Sequence, residues 1–232
     1  TLHRRNATAA QLPRLAAWFR QLDALGVTSV RLHALESENE TVRSLYGLTE
    51  RENVEAMLFF AGVEAALPRL RFDLFREAEW LLAGRDQGVS CVWRACDPYT
   101  TSAVRGIEGN GQRSNCGRTN KEGIDFEKSD TPGYERALML QRTPFEAGGC
   151  SGCRFFIFCK GQCPGTAIDG DWRNRSEHCG LWFALFEHVE RTMVLRGDVP
   201  LSQSQERFAI EGRLVAAWSR GENPSIGEVV TS

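Results

Sequence analysis

Four of the chain's eight cysteines fall in the stretch GGCSGCRFFIFCKGQCPG, residues 148–165, spaced C-x2-C-x5-C-x3-C with a proline directly after the last thiol. Thiols grouped this tightly are metal ligands, disulfide partners or core side chains. Disulfide frameworks belong to short exported scaffolds, and no secretory signal opens the sequence, so the expectation is reduced thiols in a cytoplasmic setting. Core cysteines would scatter rather than gather at Cys150, Cys153, Cys159 and Cys163. Metal ligation is the chemistry this spacing suits.

A four-cysteine zinc site usually presents two C-x2-C knuckles, each turning two thiolates onto one ion. Only Cys150 and Cys153 form such a pair. The longer gaps suit ligands spread around a cube, as in a 4Fe–4S cluster. The bacterial ferredoxin run C-x2-C-x2-C-x3-C-P sends its fourth cysteine, just before proline, to a different cluster from the other three. Cys159-x3-Cys163-Pro164 ends the same way. Pro164 lacks an N–H, fixes its own φ and pushes Cys163 towards extended backbone, away from the local turn. Cys150, Cys153 and Cys159 then need one more thiolate, and Cys179 lies downstream. Cys163 needs three, and Cys91, Cys96 and Cys116 lie upstream. Eight cysteines make two sets of four with none left over.

The elements that position these thiols fall in two regions. The first alternates: TLHR as a strand end, a helix in TAAQLPRLAAWFRQLDALG opened by a Thr8-x-x-Gln11 capping box, a strand over residues 27–35, a helix in LTERENVEAMLFFAGVEAAL opened by Thr49-x-x-Glu52 and closed by Pro68, and a strand over 70–75. That order implies parallel strands with crossover helices, as in part of an α/β barrel. In LRFDLF, Leu70, Phe72 and Leu74 share the apolar face, and Arg71 and Asp73 lie opposite; in VRLHAL, Arg31 and His33 oppose Val30, Leu32 and Ala34. A structural barrel fills its interior with branched apolar side chains, so a polar interior suggests a ligand. His3, Arg31, His33, Arg71 and Asp73 are the cofactor- or substrate-binding candidates.

Beyond residue 88 the sequence turns rich in Gly, Asn, Ser and Thr, with short β-like pieces. A helix is expected in TPGYERALMLQ with Pro132 in its first turn, then the cysteine stretch, then helices in CGLWFALFEHVERTMVL and QERFAIEGRLVAAWSRG. ENPSIGEVVTS reads as a mobile tail. The expected division is 1–88, 89–195 and 196–232. A net charge of −2 without charged blocks gives no sign of nucleic-acid or membrane binding, and no apolar run is long enough to span a bilayer.

The pattern C-x14-G-x4-C (Cys96, Gly111, Cys116), then C-x2-C-x5-C-x3-C, then Cys179 resembles the SPASM domain, the auxiliary-cluster extension of radical S-adenosylmethionine (SAM) enzymes. Cys91 matches the extra ligand of members with two fully cysteine-ligated clusters. The resemblance implies one 4Fe–4S cluster on Cys91, Cys96, Cys116 and Cys163, and a second on Cys150, Cys153, Cys159 and Cys179. It also implies an α/β fold: the second half of a partial (β/α)6 barrel, then a small α+β SPASM domain with a β-hairpin and cluster-binding loops. The family's C-x3-C-x2-C motif, which holds a third 4Fe–4S cluster and SAM, is absent. The expectation is a C-terminal part that does not cleave SAM alone. Gly117 stands where sulfatase-maturing members carry an Asp, which disfavours that substrate.

In the family, a 5′-deoxyadenosyl radical abstracts a substrate hydrogen, and auxiliary clusters relay electrons or support substrate binding. The expected function is a peptide-modifying maturase acting on a ribosomal precursor peptide and fed by a flavodoxin or ferredoxin. Alternatives are a small-molecule radical SAM dehydrogenase and a non-catalytic zinc-binding module. A precursor-peptide gene beside this one separates the first two, and metal identity separates the third. Lys160, His178 and Arg173 lie near ligands in sequence, where long charged chains are ordinarily exposed.

Overall fold

The structure, a computed structural model, describes residues 1–36, 39–101, 103–119 and 128–231. In chain order it forms α1 (Leu12–Ala24), β1 (Ser29–Val30), α2 (Glu40–Tyr46), α3 (Glu50–Ala65), β2 (Arg71–Phe72) and α4 (Asp73–Leu82). There follow β3 (Gly106–Ile107), β4 (Arg113–Ser114), α5 (Glu135–Arg142), α6 (Phe156–Cys159), α7 (Cys179–Leu195), α8 (Arg207–Ser219) and α9 (Ile226–Thr231). The chain packs as two units, Thr1–Glu79 with Gly180–Gly197, and Trp80–Cys179 with Asp198–Ser232. The sequence divides at 88 and 195; the packing divides at 79, 179 and 197. Among the described residues, no helix is long and apolar enough to cross a membrane.

In the first unit, β1 and β2 pair in parallel, Ser29 with Arg71 and Val30 with Phe72, and Leu2 bridges to Ala34 in the same sense. The core forms where the edges and faces of Phe19, Phe60 and Phe72 meet, with ring centroids 4.9–5.7 Å apart. The Thr49 box forms as the sequence implies, with Thr49 and Glu52 each accepting from the other's backbone N–H. The Thr8-x-x-Gln11 box does not. A helix begun there would place Pro13 beyond its first turn, where the ring clashes and a hydrogen bond is lost; α1 instead starts at Leu12 with Pro13 among its first residues.

The strand expected over 70–75 is also corrected. Only Arg71 and Phe72 pair, and Asp73 opens α4, an acidic residue at a helix N-terminus where the dipole favours it. Leu70, Phe72 and Leu74 are all buried, but Leu74 is buried by helical and not by strand geometry.

The second unit holds the β3–β4 hairpin, with Gly111 at φ +85° in its five-residue loop, and α8 packs against α5 and α9, with Phe156 of α6 edge-on to the buried Trp218. α5 begins at Glu135, which leaves Pro132 outside it. The tail is ordered: Ser225 and Glu228 form a reciprocal capping box, Ile226 and Val229 are buried, and the Ile226 N–H donates to Asp86 at 2.8 Å.

Asp23, buried on α1, accepts the N–H groups of Leu70 at 2.6 Å and Arg69 at 2.8 Å, and the Leu70 bond foremost holds its pKa below the ordinary 3.8. A carboxylate depressed in the folded state contributes stability above its unfolded pKa and loses it as pH falls through the folded value. Asp23→Asn keeps an oxygen acceptor without the charge. It is expected to flatten the stability curve below about pH 4, read from urea midpoints at stepped pH. An acid limb identical to that of the parent would contradict this role.

Candidate metal centre

The cysteine stretch folds as nested turns rather than as a regular element. Cys153 N–H donates to Cys150 O, Phe156 N–H to Cys153 O, and Cys159 N–H to Phe155 O, the last within the single helical turn α6. Cys150 is tied to α5 by its N–H on Leu140 O at 2.7 Å. After Cys159 the chain turns left-handed for three residues, Lys160, Gly161 and Gln162, at φ 50°, 72° and 62°. Two of these are not glycine, and each such residue costs on the order of 1–2 kcal/mol. At Gly161 no side chain fits, since a Cβ there would lie 2.4 Å from Leu140 Cδ1. Cys163 then takes φ −64°, ψ 125°, the extended setting its following proline imposes.

Arg136 compensates for this strain. Only 1% exposed on α5, it donates to the carbonyls of all three left-handed residues, Lys160 (3.4 Å), Gly161 (3.3 Å) and Gln162 (3.0 Å), and to those of Trp172 (2.6 Å) and Asn174 (2.8 Å). Lys160, expected at the surface, is 4% exposed and its Nζ donates to Trp93 O at 3.3 Å, which ties the loop to the segment between Cys91 and Cys96. The Gln162 side chain turns back to accept the Cys163 N–H at 2.6 Å. Arg173 is exposed and pairs with Asp171, and His178 is half-buried, 3.8 Å from Glu177.

None of the eight cysteines forms a disulfide. Burial pushes the Cys150 thiol up to about 12, helped by Cys153 and Cys179. Cys159 lies well above the ordinary range, through burial first and then the nearness of Cys150, Cys179 and Cys153. Burial likewise raises Cys153, against a backbone N–H from Phe155. The charges of Cys153 and Cys179 thus act on both Cys150 and Cys159, and Cys179 opens α7.

Elsewhere, burial pushes Cys96 up to about 11, with Cys163 adding to the rise and Arg136 opposing it. Burial lowers the Lys128 ammonium, which the charges of Cys96, Asp97 and Cys116 hold up. Arg118 Nη1 points at Cys163 Sγ from 3.8 Å, and the backbones close in because residue 165 is glycine: a Cβ there would meet Arg118 Cβ at 2.6 Å. Cys91 is exposed, at the start of the 3-10 turn Cys91–Trp93.

The donor set is all thiol, which suits iron–sulfur or zinc rather than hard cations. Among the described residues, no three His, Cys, Asp or Glu groups gather closely enough to hold one metal ion. A zinc ion needs its sulfurs about 2.3 Å away on one tetrahedral point, whereas a cluster's ligands are spread over a larger body. One polar group adds a second indication. Asn115, beside Cys116 and only 3% exposed, has neither its amide N–H2 nor its oxygen hydrogen-bonded. A buried amide left so costs about 1–3 kcal/mol, and a cluster ligated by Cys116 would bring acceptor sulfur to it. The residues present fit such a group.

The five candidates lie in the first unit, apart from the cysteine stretch in sequence, and only Arg71 stands in a strand; Asp73 opens α4, and His3, Arg31 and His33 lie outside the paired residues. Arg31 forms a two-pronged pair with Glu77 at 3.1 Å, and Asp73 accepts from Ser29 Oγ and from Arg76 at 2.7 Å. Arg71 is exposed and donates to Leu67 O and Leu70 O. His3 Nδ1 accepts the Arg5 N–H at 3.2 Å with its ring against Tyr46, and His33 is half-buried, its carbonyl accepting the Leu2 N–H at 2.7 Å beside the isolated Leu2–Ala34 bridge. Hydrogen bonds link Arg31 and Asp73 to α4, while Arg71 and His3 engage their own local backbone. Sequence reasoning missed Arg136, Asn115 and Gln162. Helical spacing of Arg136 with the buried Leu140 on α5 was the one available signal.

No family model, curated protein or solved structure matches this chain. Function has to be argued from the thiols and what surrounds them.

Thiol reactivity follows thiolate character and access. In the metal-free, reduced chain, Cys91 is expected to be alkylated first and Cys150 and Cys159 last, by at least an order of magnitude in rate. Time-resolved iodoacetamide labelling with peptide mass spectrometry reads this. Uniform labelling of all eight would contradict the burial described.

Proposed function

We propose that the chain is the auxiliary-cluster and half-barrel portion of a radical SAM/SPASM oxidoreductase or maturase that acts in the cytoplasm. Cys150, Cys153, Cys159 and Cys179 hold one 4Fe–4S cluster, and Cys91, Cys96, Cys116 and Cys163 hold the other. The observation that carries this is the buried cation Arg136, whose guanidinium holds the three residues that separate Cys159 from Cys163, with Cys150 and Cys163 buried and five further cysteines half-buried. Each cluster supplies reversible one-electron storage. Four thiolates per cluster leave no iron position open, which favours electron relay over binding substrate to iron. Trp93, Phe155, Phe156 and Phe158, each at most 1% exposed, keep water from the thiols, and burial of this kind sets potential.

No C-x3-C-x2-C motif lies within these residues, so none of them is assigned to SAM or the third cluster. The substrate class favoured is a ribosomal precursor peptide, with a flavodoxin or ferredoxin as electron source; this part rests on the family resemblance. His3, Arg31, His33, Arg71 and Asp73 remain proposed contacts for SAM or substrate.

Anaerobic reconstitution with iron and sulfide, followed by metal analysis and electron paramagnetic resonance of the reduced chain, tests the reading. About 8 iron and 8 sulfide per chain are expected. Cys159→Ser and Cys96→Ser should each perturb a different one of two signals. About 2 zinc and no iron, persisting through reconstitution, would overturn the relay and leave a zinc-stapled binding module.

A further inference from the structure

We infer that Arg136 is a positioning residue shared by both thiol groups, whose fixed charge raises the reduction potential of each cluster and whose hydrogen bonds set the spacing between them. This deepens the two-cluster reading and rests on it.

The spacing argument is geometric. Cys159 and Cys163 belong to different groups and are joined by only Lys160, Gly161 and Gln162, all left-handed. Arg136 donates to the carbonyl of each of the three, so one side chain holds the link that carries both ligands. Its remaining bonds, to Trp172 O and Asn174 O, fix the segment that leads on to Cys179.

The charge argument follows from what Arg136 lacks. A guanidinium does not deprotonate in a protein, and its five donors all go to neutral carbonyls. Among the described residues, no carboxylate pairs with it. A buried cation without an anionic partner is costly. Its hydrogen bonds set it against the three residues that join Cys159 to Cys163, and the charges that act on it are those of Cys96, Cys150, Cys163 and Cys159, two from each proposed group. A cluster with four thiolates is net negative and gains a further negative charge on one-electron reduction. A fixed cation against both therefore favours the reduced form of both. A lysine in its place would keep the charge and lose the fork that reaches three carbonyls at once.

The test is a potentiometric titration of the reconstituted 232-residue chain with dithionite as electron source, followed by electron paramagnetic resonance. Wild type is read first: fewer than two clusters, or zinc, would sink the underlying reading before any variant is considered. Arg136→Gln is expected to shift both midpoint potentials to more negative values, or to lose both clusters together with its helical circular dichroism intact. Arg136→Lys should keep both midpoints nearer wild type while lowering the thermal midpoint. If Arg136→Gln loses its helical signal, Arg136→citrulline, a neutral near-isostere that keeps much of the clamp, carries the test with the same expectation. Unchanged midpoints in a fully loaded neutral variant, or a change confined to one cluster, would overturn the shared role.

Discussion

A guanidinium buried among backbone carbonyls is the constraint on which the cysteine centre depends. Three consecutive left-handed residues do not persist by themselves, because two of them carry a Cβ that this conformation crowds. Arg136 makes the turn tenable by donating to the loop's carbonyls, which serve as its solvation shell, and the loop in turn gives the cation somewhere to be buried. The structural consequence is positional: the chain reverses between Cys159 and an extended Cys163, the separation the proposed two-group reading calls for.

Around that clamp the packing does chemical work through exclusion. Phe155, Phe156, Ile157 and Phe158, between Cys153 and Cys159 in sequence, are all buried, so the link between these thiols is anchored in the core. The same burial makes bare thiolates unfavourable, which is why Cys150 and Cys96 are pushed so far up without metal. In the proposed reading, metal ligation would reverse that balance by displacing the protons, which would couple folding to loading. Asn115 and Lys160 sit in this layer as polar groups whose burial makes sense beside charged ligands.

The local backbone of the cysteine stretch was more legible than the scaffold, for physical reasons. Ligand spacing is local information, and Pro164 acts on its immediate neighbour, so Cys163's extended backbone could be read directly. Thr49-x-x-Glu52 was legible for the same reason. Thr8-x-x-Gln11 misled because Pro13 vetoes the helix start it suggests, and LRFDLF misled because alternation over six residues fits a strand while Asp73 is a good helix opener. The Ser225-x-x-Glu228 box was present to be read and shows the last residues to be a capped helix and not a tail. Arg136 could not have been assigned its carbonyls from sequence, since they come from residues 160–174 and meet it only after the chain has folded.

Anomalous diffraction at the iron edge from crystals of the reconstituted chain tests the central claim most directly. The account predicts two iron centres, one bounded by Cys150, Cys153, Cys159 and Cys179 and the other by Cys91, Cys96, Cys116 and Cys163, with the Arg136 guanidinium between them. A single centre, a centre that draws cysteines from both sets, or signal at the zinc edge alone would contradict it.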